Sequence, residues 1–184
     1  MTEKKKLLII QTSLNKTGNT QKIVNYTKQE FDKLENFKTE ILDLKETKIE
    51  LCNGEKIEKY SSETQDLYKK IKSADCYILA TPIYNNAISG VCKNFLDIFS
   101  KAMENKYVGL IENSGNTHAQ GKAYNQLILI FEYHKIKLLE FYVFTNTRSF
   151  KNNELVDDLA KDELDKMKSE LNKLQKNHKI QEAI

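Results

Sequence analysis

The sequence contains one proline, six glycines, three cysteines, no tryptophan and a single arginine, Arg148. Each scarcity excludes something. So little proline and glycine rules out a collagen-like or linker-rich chain. Cys52, Cys76 and Cys92 are odd in number, widely spaced and without a C-x-x-C pair. They supply neither a disulfide framework nor a metal-ligand set, and scattered thiols predict a reducing, cytoplasmic setting. The apolar stretch near the N-terminus, Leu7–Ile10, is too short for a signal peptide, and no later run approaches a bilayer-crossing length. No membrane partner is expected. The 29 basic and 26 acidic side chains leave a net charge of only +3. A nucleic-acid surface gathers positive charge and uses arginine for bidentate contacts. Here lysines and carboxylates alternate, which predicts a solvated surface and no nucleic-acid partner.

What is present is a regular alternation of apolar patterns. Apolar content of 40%, with nine Tyr and eight Phe, is enough for one core, and the length predicts one domain over residues 1–184. Continuous apolar runs at 6–12, 37–44, 75–81, 106–113 and 136–146 read as strands buried on both faces. The third is expected to end at Pro82. Between them lie helical patterns. Residues 20–35 carry Ile23, Val24, Thr27, Phe31 and Leu34 at helical spacing. Ser62 and Gln65 form a candidate capping box for the next helix. "VCKNFLDIFSKAM" and "KAYNQLILIFEYHK" follow. From about residue 152 a charged helix places Val156, Leu159, Leu164, Met167, Leu171 and Leu174 on one face, with Asp157–Lys161 and Glu170–Lys173 as supporting pairs. Five strands alternating with five helices predict a parallel α/β sheet covered on both faces, with right-handed crossovers.

In such a sheet ligands bind beyond the carboxyl ends of the strands, where strand order reverses. The loops at residues 12–20, 82–90 and 113–121 should therefore meet, and all three are rich in Asn, Ser, Thr and Gly. "TSLNKTGNT" sets hydroxyls and amides of Ser13, Asn15, Thr17 and Thr20 around Gly18, just before a helix whose first N–H groups lack intrahelical partners. That combination suits a terminal phosphate. The plainer alternative is that Thr17 or Asn19 only caps the helix. Neither G-x-x-x-x-G-K-[ST] nor G-x-G-x-x-G occurs, which excludes a P-loop and disfavours a Rossmann dinucleotide site.

The second loop, "TPIYNNAISGVCKNFLD", resembles the flavodoxin-like NAD(P)H-dependent FMN reductase family, which has [ST]-P-x-Y, a few small or polar residues, then S/P-G/A-x-x-K-x-F/A-x-D after the third strand. Thr81, Pro82, Tyr84, Ser89, Gly90, Lys93, Phe95, Leu96 and Asp97 fall in place. The family's G-S-P-R-x-x-G-N-T is similar to the first loop, with Ser13, Gly18, Asn19 and Thr20 retained. The resemblance covers roughly residues 5–145. It implies a flavodoxin-like three-layer sandwich, with a five-stranded parallel sheet in the order 2-1-3-4-5. It also implies FMN with its phosphate among Ser13, Asn15, Thr17, Gly18, Asn19 and Thr20. Pro82, Ile83, Tyr84, Asn85 and Asn86 would line the isoalloxazine ring, and Asn113, Ser114 and Gly115 its other side. NADH or NADPH would reduce the flavin, which would then reduce a small acceptor such as a quinone, free flavin, azo or nitro compound. No side-chain catalyst is implied, and a homodimer is the family's usual assembly.

Two departures stand out. Thr12 replaces a glycine, and Asn15 replaces a frequent arginine, removing one charged phosphate contact. Iron–sulfur relatives carry four compact cysteines after the second strand, where this chain has Cys52 alone, so no cluster is expected. Two other functions fit the same fold: a flavodoxin-type electron carrier, disfavoured by the near-neutral charge, and a non-catalytic phosphate- or nucleotide-binding module. Cys76 and Cys92 read as small buried hydrophobes, although a helix N-terminus could lower the Cys92 pKa. His118, His134 and His178 lack metal-ligand spacing, and His118 falls on a site-side loop. Tyr124, Tyr133 and Tyr142 read as packing or interface residues.

Overall fold

The computed structural model describes the backbone of residues 4–181 and the side chains of residues 4–173. In chain order its sheet strands are β1 (Lys5–Gln11), β2 (Phe37–Asp43), β3 (Cys76–Tyr84), β4 (Ala87–Ile88), β5 (Tyr107–Asn113) and β6 (Lys137–Thr145). The five long strands are parallel in the order β2-β1-β3-β5-β6, and the short β4 folds back antiparallel on β3. Counted over long strands, this is the predicted 2-1-3-4-5 order.

Period-two alternation divides the core into two layers. Leu8, Ile10, Tyr77, Leu79, Val108 and Leu110 face one side, packed by α2 (Ser62–Lys72), α3 (Gly90–Phe99) and α4 (Lys122–Tyr133). Leu7, Ile9, Cys76, Ile78, Ala80 and Ile111 face the other, packed by α1 (Asn19–Asp32) and α5 (Asp158–Gln181). Burying each large aliphatic side chain contributes about 1.5–3 kcal/mol before the entropic cost of ordering the chain. Gly109 is the close-packed point of the second layer: a Cβ there would lie 2.6 Å from Met167 Sδ.

Several local expectations need correction. Strand β3 does not stop at Pro82 but continues to Tyr84. Residues 80 and 82 direct their backbone groups toward the same neighbour, β1. The last contact there is Thr12 N–H donating to the Ala80 carbonyl at 3.0 Å, so the proline's missing donor falls where β1 has already ended. Helix α2 is capped by Ser61, not Ser62, and Gln65 instead donates to the Tyr60 carbonyl at 2.9 Å. Helix α1 ends at Asp32, leaving Leu34 outside it.

The chain after β6 forms a small hairpin, β7 (Phe150–Lys151) and β8 (Glu154–Leu155), before α5 begins at Asp158. Val156 therefore precedes the helix, and Leu159 is 64% exposed; the buried stripe is Ala160, Leu164, Met167 and Leu171. Leu174 and His178 lie outside the described side chains. Lys161 pairs with Asp158 at 3.0 Å instead of Asp157, whose carboxylate accepts from the Ala160 N–H at the start of α5. The Glu170–Lys173 pair forms at 3.7 Å. Among the described residues, no helix is long and apolar enough to cross a membrane.

Candidate active site

Strand order reverses between β1 and β3, and the loops leaving β1, β3 and β5 meet beyond their carboxyl ends. They enclose an open cleft of about 300 Å³, lined by Ser13, Asn15, Thr17, Gly18, Asn19 and Thr20, by Pro82, Ile83 and Tyr84, and by Asn113, Ser114 and Gly115. Twelve of the fourteen sequence-predicted residues are thus brought together. Asn85 and Asn86 are not among the lining residues. They form the two-residue turn of the β3–β4 hairpin, both with positive φ (52° and 61°), as a type I′-like connection requires. The tip is tied to α4, because Gln126 donates to the Asn86 carbonyl at 3.2 Å and accepts from the Ile88 N–H at 3.1 Å.

The lining also includes Thr147, which sequence reasoning missed. It lies in the turn after β6, at the same edge of the sheet, and its hydroxyl donates to the Gly115 carbonyl at 3.3 Å. The available signal was positional: a polar segment following the last long strand.

The first loop is shaped from within. The Asn15 side-chain oxygen accepts from the Thr17 N–H at 3.0 Å, and the Asn15 carbonyl accepts from the Gly18 N–H at 3.3 Å. Asn15, which stands where a charged side chain was the expected pattern, therefore folds the loop back on itself. Gly18 sits against it; a Cβ at Gly18 would approach Asn15 Cβ to 3.2 Å. Ser89 joins the first two loops, since its hydroxyl donates to the Thr12 carbonyl at 3.2 Å while capping α3 at the Cys92 N–H, 3.1 Å away.

Helix N-termini give the cleft its electrostatic character. Ser61 caps α2 and Ser89 caps α3. Asp157 accepts from an N–H of the first turn of α5. The Glu112 carboxylate accepts from Gly121 and Tyr124 at the start of α4. Helix α1 differs: Gly18 provides no side-chain cap, and its first turn carries no acidic residue. Its open, partially positive end faces the cleft beside the hydroxyls of Ser13, Thr17 and Thr20. No carboxylate lines the cleft. These groups fit a terminal phosphate, offering neutral donors and a dipole where the sequence lacks arginine.

The remaining chemistry-bearing residues lie elsewhere. Cys92 is fully buried, and burial pushes its thiol up to about 12, outweighing the opposing hydrogen bonds with Thr81 and Thr12. Cys76 is buried in β3, and Cys52 is exposed. His118 lies in the turn Thr117–Ala119 and is exposed. His134 caps the end of α4, where desolvation lowers its pKa. Tyr124 stacks on Tyr142 with ring centres 5.2 Å apart, while Tyr133 is 82% exposed. Among the described residues there is no cluster of His, Cys, Asp and Glu suited to a metal ion.

A doubly wound parallel sheet with a polar cleft at its switch point defines a flavodoxin-like protein. Solved structures agree at the level of fold: an oxidoreductase from Corynebacterium diphtheriae superimposes with a TM-score of 0.77 at 16% identity, covering 92% of this chain and 96% of that one. Residues 5–150 match the NADPH-dependent FMN reductase family, and the chain belongs to that family. Among curated relatives, an NAD(P)H-dependent FAD/FMN reductase of Geobacillus thermodenitrificans is 33% identical over 64% of this chain and 65% of its own length. An NADPH azoreductase of Bacillus sp. is 31% identical over 66% of each chain. The chain thus spans just under two thirds of the length of these curated relatives.

Proposed function

We propose that this protein is an FMN-dependent NAD(P)H oxidoreductase serving a small-molecule electron acceptor, with azo compounds, quinones, nitro compounds and free flavins as the candidate class. The observation that carries this reading is the open N-terminus of α1 in the cleft, where the other four α-helices among the described residues have an acceptor side chain in place. Family membership supplies FMN as the matching phosphate ester, and the azoreductase relatives favour an azo acceptor. When bound, FMN supplies a ring that takes hydride from a nicotinamide and passes electrons onward.

The chain's own residues bind and orient. Ser13, Thr17 and Thr20 would offer hydroxyl hydrogen bonds to the phosphate, and the first N–H groups of α1 would oppose its charge. Gly18 keeps the backbone close. Pro82, Ile83 and Tyr84 form one wall of the ring site, and Asn113, Ser114 and Gly115 the other. Tyr84 is half exposed at the mouth, where a planar co-substrate would enter. No buried side-chain acid or base lines the cleft, so proton balance falls to solvent.

An anaerobic absorbance titration of the FMN-supplemented protein with NADH and then NADPH tests the reading. Rapid bleaching of bound flavin is expected, and the faster donor identifies the coenzyme. Bound flavin that resists both donors would instead indicate an electron carrier.

The same reading includes a cytoplasmic homodimer. The support is the exposed apolar face of α4, where Leu129 and Tyr133 stand one turn apart beside Ile128, and the three free thiols. Sedimentation equilibrium should give twice the 21.4 kDa chain mass for the native protein and a shift toward monomer for Leu129→Glu/Tyr133→Glu. A native protein that sediments at the chain mass rejects the dimer.

A further inference from the structure

The third wall of the cleft is the loop of residues 114–120, which contains the turn Thr117–Ala119 and whose first N–H, that of Ser114, donates to the Thr145 carbonyl at 3.0 Å. One side chain ties its two ends together. Glu112, the last residue but one of β5, is fully buried, and its carboxylate accepts from the Gly121 N–H at 2.7 Å and the Tyr124 N–H at 2.6 Å. The residue at the N-cap position of α4 cannot do this. It is Gly121 at φ +78°, and a Cβ there would meet the Tyr142 hydroxyl at 3.0 Å. The acceptor is supplied from the strand instead, so capping the helix and closing the loop are a single event.

The next residue is fixed by the sheet, between Pro82 of β3 and Thr145 of β6. Asn113 donates through Nδ2 to Thr145 Oγ1 at 2.9 Å, and the Thr145 hydroxyl donates in turn to the Glu112 carbonyl at 3.4 Å. Burial pushes the Glu112 carboxyl above the ordinary carboxylate range, opposed by the backbone N–H groups and reinforced by the nearby charge of Glu163. A surface serine or aspartate would cap a helix without this desolvation cost. What only a buried acceptor on β5 can do is register the loop against the strand that supplies Asn113.

We propose that Glu112 is a positioning residue: the sheet itself sets Asn113 beside Pro82, and the Glu112 carboxylate closes the loop that follows, so that Ser114 and Gly115 stand at a set separation from Pro82–Tyr84, and it thereby governs affinity for the flavin ring. This inference rests on the flavin-binding reading above. Glu112 touches no ligand, so its effect must appear in the ring's contribution and leave the phosphate's contribution alone.

Binding of FMN and of riboflavin, which lacks the phosphate, separates those contributions. In Glu112→Gln the side chain keeps its size but offers one oxygen and an NH2, leaving one buried backbone N–H facing a donor. Both ligands should weaken by the same factor, about 10- to 100-fold, with their affinity ratio unchanged. The visible circular dichroism of bound FMN should change as well, which a mere loss of stability would not produce. Should Glu112→Gln not fold, Glu112→Asp keeps the charge on a shorter arm and should shift both affinities in the same direction by less. Native affinity for both ligands in the variant that folds overturns the inference and leaves the flavin reading standing. Selective loss of FMN also overturns it. A wild-type protein that binds neither ligand overturns both.

Discussion

Asn19→Asp is expected to weaken FMN binding by about 30- to 150-fold while making the flavin-free protein slightly more stable. The two effects come from one charge. Asn19 is the first residue of α1, whose N-terminus has no side-chain cap and no acid in its first turn. A carboxylate there complements the helix dipole and should add about 0.3–1 kcal/mol to the apo protein, raising its melting temperature by roughly 1–3 °C. A bound phosphate carrying about −1.5 to −2 would sit against the same carboxylate. At about 6 Å and an effective dielectric near 20, repulsion is about 4–5 kcal/mol, and screening at this partly exposed position reduces it to about 2–3 kcal/mol. Riboflavin has no phosphate, so its affinity should not change. Isothermal titration with both ligands, beside a thermal melt, checks all three signs. A helix cap with no anion would yield only the stability gain, and equal weakening of both ligands would place the phosphate elsewhere.

This prediction and the Glu112 inference act on opposite ends of one ligand, and together they divide the cleft. The α1 end should respond to the phosphate and to ionic strength. The β5 end should respond to the ring and to neither. The arrangement follows from topology: the connections after the parallel strands β1 and β3 turn to opposite faces of the sheet at the switch point, which opens a crevice at the N-terminus of α1.

The first loop was legible in the sequence because its donors are contiguous. Ser13 through Thr20 fall within one turn segment, so strand, loop and helix start can be read without knowing what packs where. Thr147 was not legible, since it reaches the cleft only through the placement of β6, the edge strand. Glu112 was hidden differently: it ends an apolar run, and nothing local shows that its partners are nine and twelve residues ahead. An acid inside a strand buried on both faces was the available hint.

Pro82 lies inside β3 because proline ends a strand only where its missing N–H would have served a neighbour, and β1 has already ended there. The two Asn-Asn pairs are hairpin-turn signals in their own right. Asn85–Asn86 and Asn152–Asn153 all have positive φ, and each pair turns a two-stranded hairpin. Asparagine tolerates that region, and consecutive left-handed residues are what a two-residue hairpin needs.

The largest expected stability effect lies where α5 meets β5, and it takes the form of a coupling. Met167→Ala removes a fully buried side chain and should cost about 2–4 kcal/mol, or roughly 4–16 °C in melting temperature. Gly109→Ala adds a methyl 2.6 Å from Met167 Sδ, inside any ordinary contact distance. Replacing a strand glycine with alanine usually gains about 0.5–1 kcal/mol. Here the sign should reverse, with a net loss of about 1–2 kcal/mol; the pliable thioether keeps the loss at the low end for overpacking. In the double variant the new methyl occupies part of the space that Met167 vacates, so the clash disappears and some cavity is filled. The combined loss should fall short of the sum of the single losses by about 1–3 kcal/mol. Urea denaturation of the four proteins measures this directly. Additive losses would mean that Gly109 is there for the backbone, where the register of β5 against β6 shifts between Val108 and Leu110, and not for the side chain above it. The contact reaches function because Glu112 and Asn113 end the same strand. A β5 displaced by an overpacked Gly109 should carry the third wall of the cleft with it, so Gly109→Ala is expected to weaken riboflavin and FMN together, as Glu112→Gln does.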